Sequence, residues 1–219
     1  GGNIGLPLLD FKAMRKNAIY HVLELSSFQL ESAPSFAPFI SILLNISPDH
    51  LDRYKNMQSY ALQKEKIISL NKNSFNIISV DDKLCRKIYR KYKNTNIIPI
   101  SELPIKKGIY FKKNQIIDNF FHNEKKVKIV NLSMYLEGNI NIQNILAAYV
   151  VTKILKLKHN CFLNSLKNYI GLPHRYEKIF SNKKLNIINN SKATNISAAL
   201  RSLNNLENLS LFLEEDVIE

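Results

Sequence analysis

The order of short apolar runs and helical runs constrains the fold of this chain more than any other feature. The run FNIISVDD at 75–82 is rich in β-branched residues, KLCRKIYRKY at 83–92 is helical in character, and NIIPIS at 96–101 is strand-like again. Upstream, AIYHVLEL at 18–25 and FISILLNI at 39–46 are interpreted as buried strands. Strands that alternate with helices predict an α/β fold with a mostly parallel sheet and helices on its faces.

Other segments fill out this pattern. Ser47 is predicted to cap a helix with Pro48 in its first position, and residues 57–70 carry apolar residues at helical spacing. Residues 108–132 hold short β-like runs and turn residues, which predict a small antiparallel excursion from the main sheet. A strong helix is predicted over 141–157.

The last part of the chain changes character after a break. A shorter helix is predicted over 161–170, and Gly171-Leu172-Pro173 then interrupts the chain, so a domain boundary is expected near Pro173. Residues 185–203 read as strand, polar turn and helix, and 209–213 as one more strand.

Composition limits the classes of function. With 45% hydrophobic and 22% charged residues the chain resembles a soluble globular protein, and no apolar run approaches the ~20 residues that a membrane span needs. Cys85 and Cys161 stand apart in sequence and are expected to be reduced thiols. The net charge of +13 raises nucleic-acid binding as an alternative. The lysines are spread through a chain rich in Lys, Asn and Ile, so nucleic acid is not the expected partner.

Polar side chains follow several predicted strands, where parallel sheets bind their ligands. Glu24 and the serines after it end the first strand, residues 45–50 end the second, and residues 190–195 end a later one. Each ending has a simpler explanation when taken alone. Glu24 could pair with a lysine, Ser47 could serve only as a helix cap, and Lys192 could be solvated.

Taken together, these motifs carry a family resemblance. The runs GGNIG, LELSSFQLE, LNISPDHLDR, GLPHRYE and INNSKATN occur in this order and resemble the Mur ligase family. GLPHR followed by SKATN favours the branch that adds D-glutamate. The resemblance implies a central ATP-binding domain over residues 1–173 and the start of a Rossmann-like C-terminal domain over 174–219.

The resemblance also implies an activity. Such a ligase joins D-glutamate to UDP-N-acetylmuramoyl-L-alanine during peptidoglycan precursor synthesis, through an acyl phosphate formed with ATP and Mg²⁺. The expected partners are therefore small molecules, and the expected location is the cytoplasm without membrane insertion. A monomer is expected.

Family roles can be carried over to matching positions. The resemblance implies that the metal site contains Glu24, His50 and Lys64 as a carbamate. It implies catalytic roles for His50, Lys64 and Lys192. From sequence alone Lys66 is an alternative to Lys64. Substrate contacts are implied at Asn3, Ser26, Ser27 and Thr194, and ATP contacts at Asn141, Asn144, His174, Arg175 and Asn190. N-capping is an alternative role for the two helical asparagines.

Several departures from the family pattern bear on activity. No glycine-rich loop ending Gly-Lys-Ser/Thr occurs in this sequence. Asn190 stands where the family usually has Asp, and Ile140 where it commonly has His. Both ends are expected to be cut, so the chain alone is expected to be inactive. A decayed, non-catalytic remnant and a basic binding module on the same scaffold remain as alternatives.

Overall fold

The protein is described here from a computed structural model. The structure describes residues 1–3, 20–130, 132–136, 141–182, 184–193 and 199–200. None of the helices in these ranges combines the length and the apolar character that a bilayer crossing demands.

A six-stranded sheet forms the centre of the described structure. Its strands, in both chain and spatial order, are β1 (Ile40–Leu43), β2 (Phe75–Ser79), β3 (Ile97–Ser101), β4 (Gly108–Lys112), β5 (Gln115–Asn119) and β6 (Lys125–Lys128). Strands β1 to β4 pair in parallel, whereas β4, β5 and β6 pair antiparallel. The predicted α/β class and the antiparallel excursion are both confirmed.

Helices cover the two faces of this sheet. They are α1 (Ser27–Ser32), α2 (Met57–Glu65), α3 (Lys83–Tyr92), α4 (Ile142–Ile154) and α5 (His159–Lys167), with a short 3₁₀ turn at Met134–Leu136. A separate two-stranded antiparallel sheet follows, made of β7 (Glu177–Ser181) and β8 (Asn186–Asn189).

Neighbouring residues of β2 enter different cores because side chains alternate across a strand. Ile77 belongs to the core that contains α4 and α5 residues, and Ile78 to the core on the side of α2 and α3. Both side chains are fully buried. This explains the two successive isoleucines of the FNIIS run, because β2 is covered on both faces.

Gly108 allows β4 to approach Pro99. Its φ is +139°, and a Cβ there would lie 2.5 Å from the Pro99 carbonyl oxygen. The β3–β4 pairing accordingly begins one residue beyond Pro99, with Ile100 opposite Ile109. A proline is tolerated inside this sheet because the ladder to β4 starts after it.

The predicted buried strand at 18–25 is wrong for its described part. Residues 20–25 lie outside every named strand, and Val22 is 84% exposed. Their backbone instead bonds to Gly1–Asn3, for example from Glu24 N–H to Gly1 O (3.0 Å). Val22 is left in water, whereas Leu23 and Leu25 are partly buried and the Tyr20 ring stacks on that of Phe39 (6.4 Å between centroids).

The predicted helix start at Ser47 and Pro48 is also wrong. Helix α2 begins at Met57, where the Asn56 side chain accepts from Ser59 N–H (2.9 Å). The Ser47 hydroxyl instead donates to Asn45 (3.3 Å), and His50 has a φ of +53°, which a right-handed helix does not allow.

Helix α1 is not predicted by the sequence analysis, which places Ser26 and Ser27 only at the end of the first strand. Its signal is a capping box. The Ser26 hydroxyl accepts from Gln29 N–H (3.2 Å), and Gln29 Oε1 accepts from Ser26 N–H (2.9 Å). The predicted strand at 209–213 lies outside the described residues.

Asn76 joins β1, β2 and the segment that follows α2. Its side chain is fully buried, and Oδ1 accepts from the Ser41 hydroxyl (2.7 Å) and from Ser69 N–H (2.9 Å). Its Nδ2 donates to Ser69 O at 2.9 Å. These bonds satisfy the polar groups of a segment that would otherwise be buried without partners.

We expect Asn76→Ala to lower the free energy of unfolding by about 2–4 kcal/mol, since it leaves the buried partners of Asn76 unpaired. Urea denaturation followed by circular dichroism measures this loss. Asn73→Ala in the exposed loop before β2 is the matched control, with an expected change within about 0.5 kcal/mol. Equal unfolding curves for the two variants would contradict the role given to Asn76.

Candidate active site

Asn3 and Glu24 are brought together by pairing of the chain start with the segment before α1. Asn3 Nδ2 donates to Glu24 Oε1 at 3.2 Å, and Asn3 N–H donates to Glu24 O at 2.7 Å. Gly2 permits this approach, because its φ is +92° and a Cβ would lie 2.4 Å from Glu24 O. The Glu24 carboxylate is therefore exposed at the start of α1 and is oriented by Asn3.

Ser26 and Ser27 lie immediately after Glu24, in different environments. Ser26 uses its hydroxyl in the capping box of α1. Ser27 is 1% exposed, and its buried Oγ has no hydrogen-bond partner among the described residues. An unpaired buried hydroxyl is uncommon and calls for an explanation such as an ordered water or a ligand.

His50 is held between two aromatic rings. Its ring centroid lies 4.9 Å from that of Phe28 on α1 and 6.4 Å from that of Tyr60 on α2. Asp49 Oδ1 accepts from the backbone N–H of His50 (3.1 Å), and Asp49 Oδ2 lies 3.8 Å from His50 Nε2. The positive φ of His50 is a strained conformation that these contacts maintain.

Lys64 is half-buried on the same side of α2. Its Nζ lies 5.6 Å from the centroid of the Tyr60 ring, one helical turn earlier. Burial lowers the pKa of the Lys64 ammonium, and the carboxylates of Asp49 and Glu24 act in the opposite direction. Glu24, Asp49 and Lys64 are therefore near enough to interact electrostatically, although they come from three separate segments.

Lys66 has a different environment. It is exposed and occupies the C-cap of α2, where its backbone N–H bonds to Gln63 O. Between the two lysines, Glu65 is anchored to α3, because its Oε1 accepts from the Tyr92 hydroxyl (2.7 Å). This bond links the last turn of α2 to the last residue of α3.

The helical asparagines also lie together. Asn141 is at the N-cap of α4, but its side chain makes no capping bond. Its Nδ2 donates to Tyr135 O (3.0 Å), and its Oδ1 accepts from Asn144 Nδ2 (3.3 Å). The side chain of Asn141 is thus held in an amide pair with Asn144 rather than used to cap the helix.

Most of the remaining predicted residues gather at one end of the β7–β8 hairpin. His174 has a φ of +64°, its Nδ1 lies 2.9 Å from Asn189 Nδ2, and its carbonyl accepts from Lys192 N–H (3.1 Å). Arg175 N–H donates to Leu172 O (3.2 Å). Asn190 Oδ1 accepts from Tyr176 N–H at 3.1 Å. Thr194 lies outside the described residues.

Two groups at the site were not assigned a role from sequence. The first is Asp49, which precedes His50 in the run SPDH. The second is Tyr60, which precedes Lys64 by four residues, so that Tyr60 and Lys64 lie on one face of α2. Within the described ranges, no three His, Cys, Asp or Glu side chains converge closely enough to hold a metal ion.

Comparisons with known proteins place the chain in a family. A family model described as the Mur ligase middle domain matches residues 2–152. A UDP-N-acetylmuramoylalanine--D-glutamate ligase from Rickettsia bellii (strain RML369-C) is 40% identical over 213 residues, which is 95% of this chain and 46% of that protein. A protein with the same name from Buchnera aphidicola subsp. Baizongia pistaciae (strain Bp) is 36% identical, covering 99% of this chain and 48% of its own length.

Solved structures agree on the fold. A MurF structure from Acinetobacter baumannii aligns with a TM-score of 0.56 at 15% identity, covering 77% of this chain and 38% of that one. MurF ligase from Thermotoga maritima in complex with ADP aligns with a TM-score of 0.55 at 21% identity, covering 76% and 39%. The chain spans about half the length of the curated relatives it matches. By its sequence match over residues 2–152, this chain belongs to the Mur ligase family through the middle domain.

Proposed function

We propose that the protein is an ATP-dependent ligase that joins D-glutamate to UDP-N-acetylmuramoyl-L-alanine in peptidoglycan precursor synthesis, in the cytoplasm. The supporting observation is that the half-buried Lys64 and His50 both lie against the Tyr60 ring, 5.6 Å and 6.4 Å from its centroid, where the Glu24 and Asp49 carboxylates act on the pKa of Lys64. The names of the relatives at 36–40% identity support the choice of D-glutamate as the added amino acid.

The proposed reaction activates a carboxylate. ATP transfers its γ-phosphoryl group to the substrate carboxylate, and the amine of D-glutamate then displaces phosphate to form the amide. Mg²⁺ would offset the negative charge of the phosphates during transfer. In this protein His50 and the cation Lys192 would stabilise charge close to the reacting groups, and Asn3 would orient Glu24 and contact the muramoyl substrate.

The donor set fits Mg²⁺ if Lys64 is carboxylated. Mg²⁺ prefers oxygen ligands, and Glu24 offers an exposed carboxylate. The described residues hold no group of three metal-ligating side chains, and a carbamate on Lys64 would add the missing oxygen atoms. Carbamate formation needs a neutral amine, which burial of Lys64 favours.

The remaining roles complete the proposal. Asn141 and Asn144 would hold the adenine, because an amide pair can both donate to and accept from a purine edge. His174, Arg175 and Asn190 would contact the ATP phosphates or ribose. Ser26, Ser27 and Thr194 would line the substrate side. We place a domain boundary near Pro173, so that residues 1–173 form the central domain and 174–219 begin the next.

We expect the protein expressed from its complete reading frame to release phosphate from ATP only when both UDP-N-acetylmuramoyl-L-alanine and D-glutamate are present. Glu24→Ala and Lys64→Ala should each lower kcat by roughly 10²-fold or more, because each removes a ligand from the metal site. Lys66→Ala is the matched control, since Lys66 is exposed two residues away. If the wild-type protein forms no amide product from the two substrates, the proposed function is contradicted. Equal rates for Lys64→Ala and Lys66→Ala would contradict it as well.

A carbamate at Lys64 makes chemical rescue possible. The Lys64→Ala variant should regain part of its activity with added acetate or propionate, because a small carboxylate can occupy the space of the lost carbamate. Product formation is measured as a function of acid concentration. Chloride at equal ionic strength is the control, and identical rates in acetate and chloride would argue against the carbamate.

The carbamate should also depend on pH in a specific direction. Because burial lowers the pKa of Lys64, its neutral form should be populated at a lower pH than in an ordinary lysine, whose pKa is ~10.4. ¹³C-bicarbonate labelling followed by NMR should show a carbamate signal that is lost as pH falls through this lowered pKa. Lys64→Arg should abolish it, and a signal that persists in Lys64→Arg would assign the carbamate elsewhere.

A further inference from the structure

The carboxylate of Asp81 connects three elements at the carboxyl ends of the central strands. Its Oδ1 accepts from the Ser101 hydroxyl at the end of β3 (2.6 Å), and its Oδ2 accepts from Glu102 N–H (3.0 Å). Oδ2 also accepts from the Ser79 hydroxyl at the end of β2 (3.1 Å) and from Gln143 Nε2 on α4 (3.2 Å). A carboxylate has about four lone-pair sites, so this group has little capacity left for a ligand.

The main chain around Asp81 is held from the opposite side. Arg86 on α3 donates from Nε to Val80 O (2.8 Å) and from a terminal nitrogen to Asp81 O (3.3 Å). Asp82, the next residue, caps α3 by accepting from Leu84 N–H (2.9 Å) and Cys85 N–H (2.8 Å). The position of the Asp81 carboxylate is therefore determined by both its side chain and its backbone.

Gln143 is the point where this carboxylate meets α4. It lies in the first turn of the helix, is 3% exposed, and stands between Asn141 and Asn144 in sequence. No residue in the first turn of α4 is acidic, and the N-cap side chain makes no capping bond. Asp81 thus supplies a negative charge where the positive end of the helix dipole favours one.

We propose that Asp81 and Gln143 are positioning residues for nucleotide binding, a role that rests on the proposed function. Their hydrogen bond fixes the first turn of α4 to the ends of β2 and β3. It thereby sets where the Asn141–Asn144 amide pair lies relative to the sheet edge. Asp81 already accepts four hydrogen bonds, and Gln143 is buried, with its Oε1 left without a partner among the described residues.

The test uses the protein expressed from its complete reading frame. Gln143→Leu keeps a similar volume and removes the donor to Asp81. We expect its KM for ATP to rise about tenfold with kcat within about twofold, because a misplaced amide pair weakens ground-state and transition-state binding alike. This split between KM and kcat separates positioning from a general loss of stability.

Tyr149→Phe is the matched control on the same helix. In the wild type the Tyr149 hydroxyl donates to the carboxylate of the buried Asp118 at 2.9 Å. Like Gln143→Leu, this variant therefore loses one hydrogen bond to a carboxylate. This variant should change the unfolding midpoint as Gln143→Leu does, while its KM for ATP stays within about twofold of wild type. Equal KM values for the two variants would overturn the positioning role.

A second readout keeps this inference separate from the proposed function. Hydrogen–deuterium exchange of the amides that donate to the first-turn carbonyls of α4, one turn further along the helix, should accelerate in Gln143→Leu more than in Tyr149→Phe. Failure of the wild-type protein to use ATP would contradict both the proposed function and the role in nucleotide binding. The exchange measurement would still show whether the Asp81–Gln143 bond holds the first turn of α4. Equal exchange in the two variants would contradict the claim that the Asp81–Gln143 bond fixes the first turn of α4.

Discussion

The parallel ladder from β1 to β3 determines where the candidate groups lie. Because parallel strands end at the same edge, the segments that follow β1, β2 and β3 share one side of the sheet. His50 is in the segment after β1, Asp81 follows β2, and Glu102 follows β3. The ladder depends in turn on buried polar contacts such as Asn76 with Ser41, which join neighbouring strands without leaving unpaired groups.

The candidate site contains conformations and environments that cost stability. His50, His174 and Tyr176 have φ values of +53°, +64° and +51°, in a region that residues other than glycine seldom occupy. Ser27 has a buried hydroxyl without a partner in the described structure, and burial disfavours the charge on Lys64. Such features persist where the surrounding packing enforces them, and they concentrate at functional sites. Aromatic packing by Phe28 and Tyr60 supplies that enforcement around His50.

Local patterns predicted most of the sheet but failed where contacts decide the outcome. The helix over 83–92 and the strand at 97–101 follow from periodicity and β-branched composition. The run at 18–25 has a similar composition, yet its described part forms no named strand: its backbone bonds to Gly1–Asn3, and Val22 is left exposed. The prediction at Ser47 failed for a related reason. A good cap residue was present, but His50 left the helical region and Asn56 became the cap.

The sequence by itself determined the α/β class, the alternation of strands and helices over residues 75–101 and membership of the family, because these depend on patterns in the chain. Only the tertiary structure decided which lysine is half-buried. Lys64 and Lys66 are two residues apart, hence roughly 200° apart around a helix. The packing of α2 places Lys64 against the Tyr60 ring and leaves Lys66 exposed. The bond between Asp81 and Gln143 spans 62 positions in the chain. No local pattern predicts such a contact, because burial and electrostatics depend on groups that folding alone brings together.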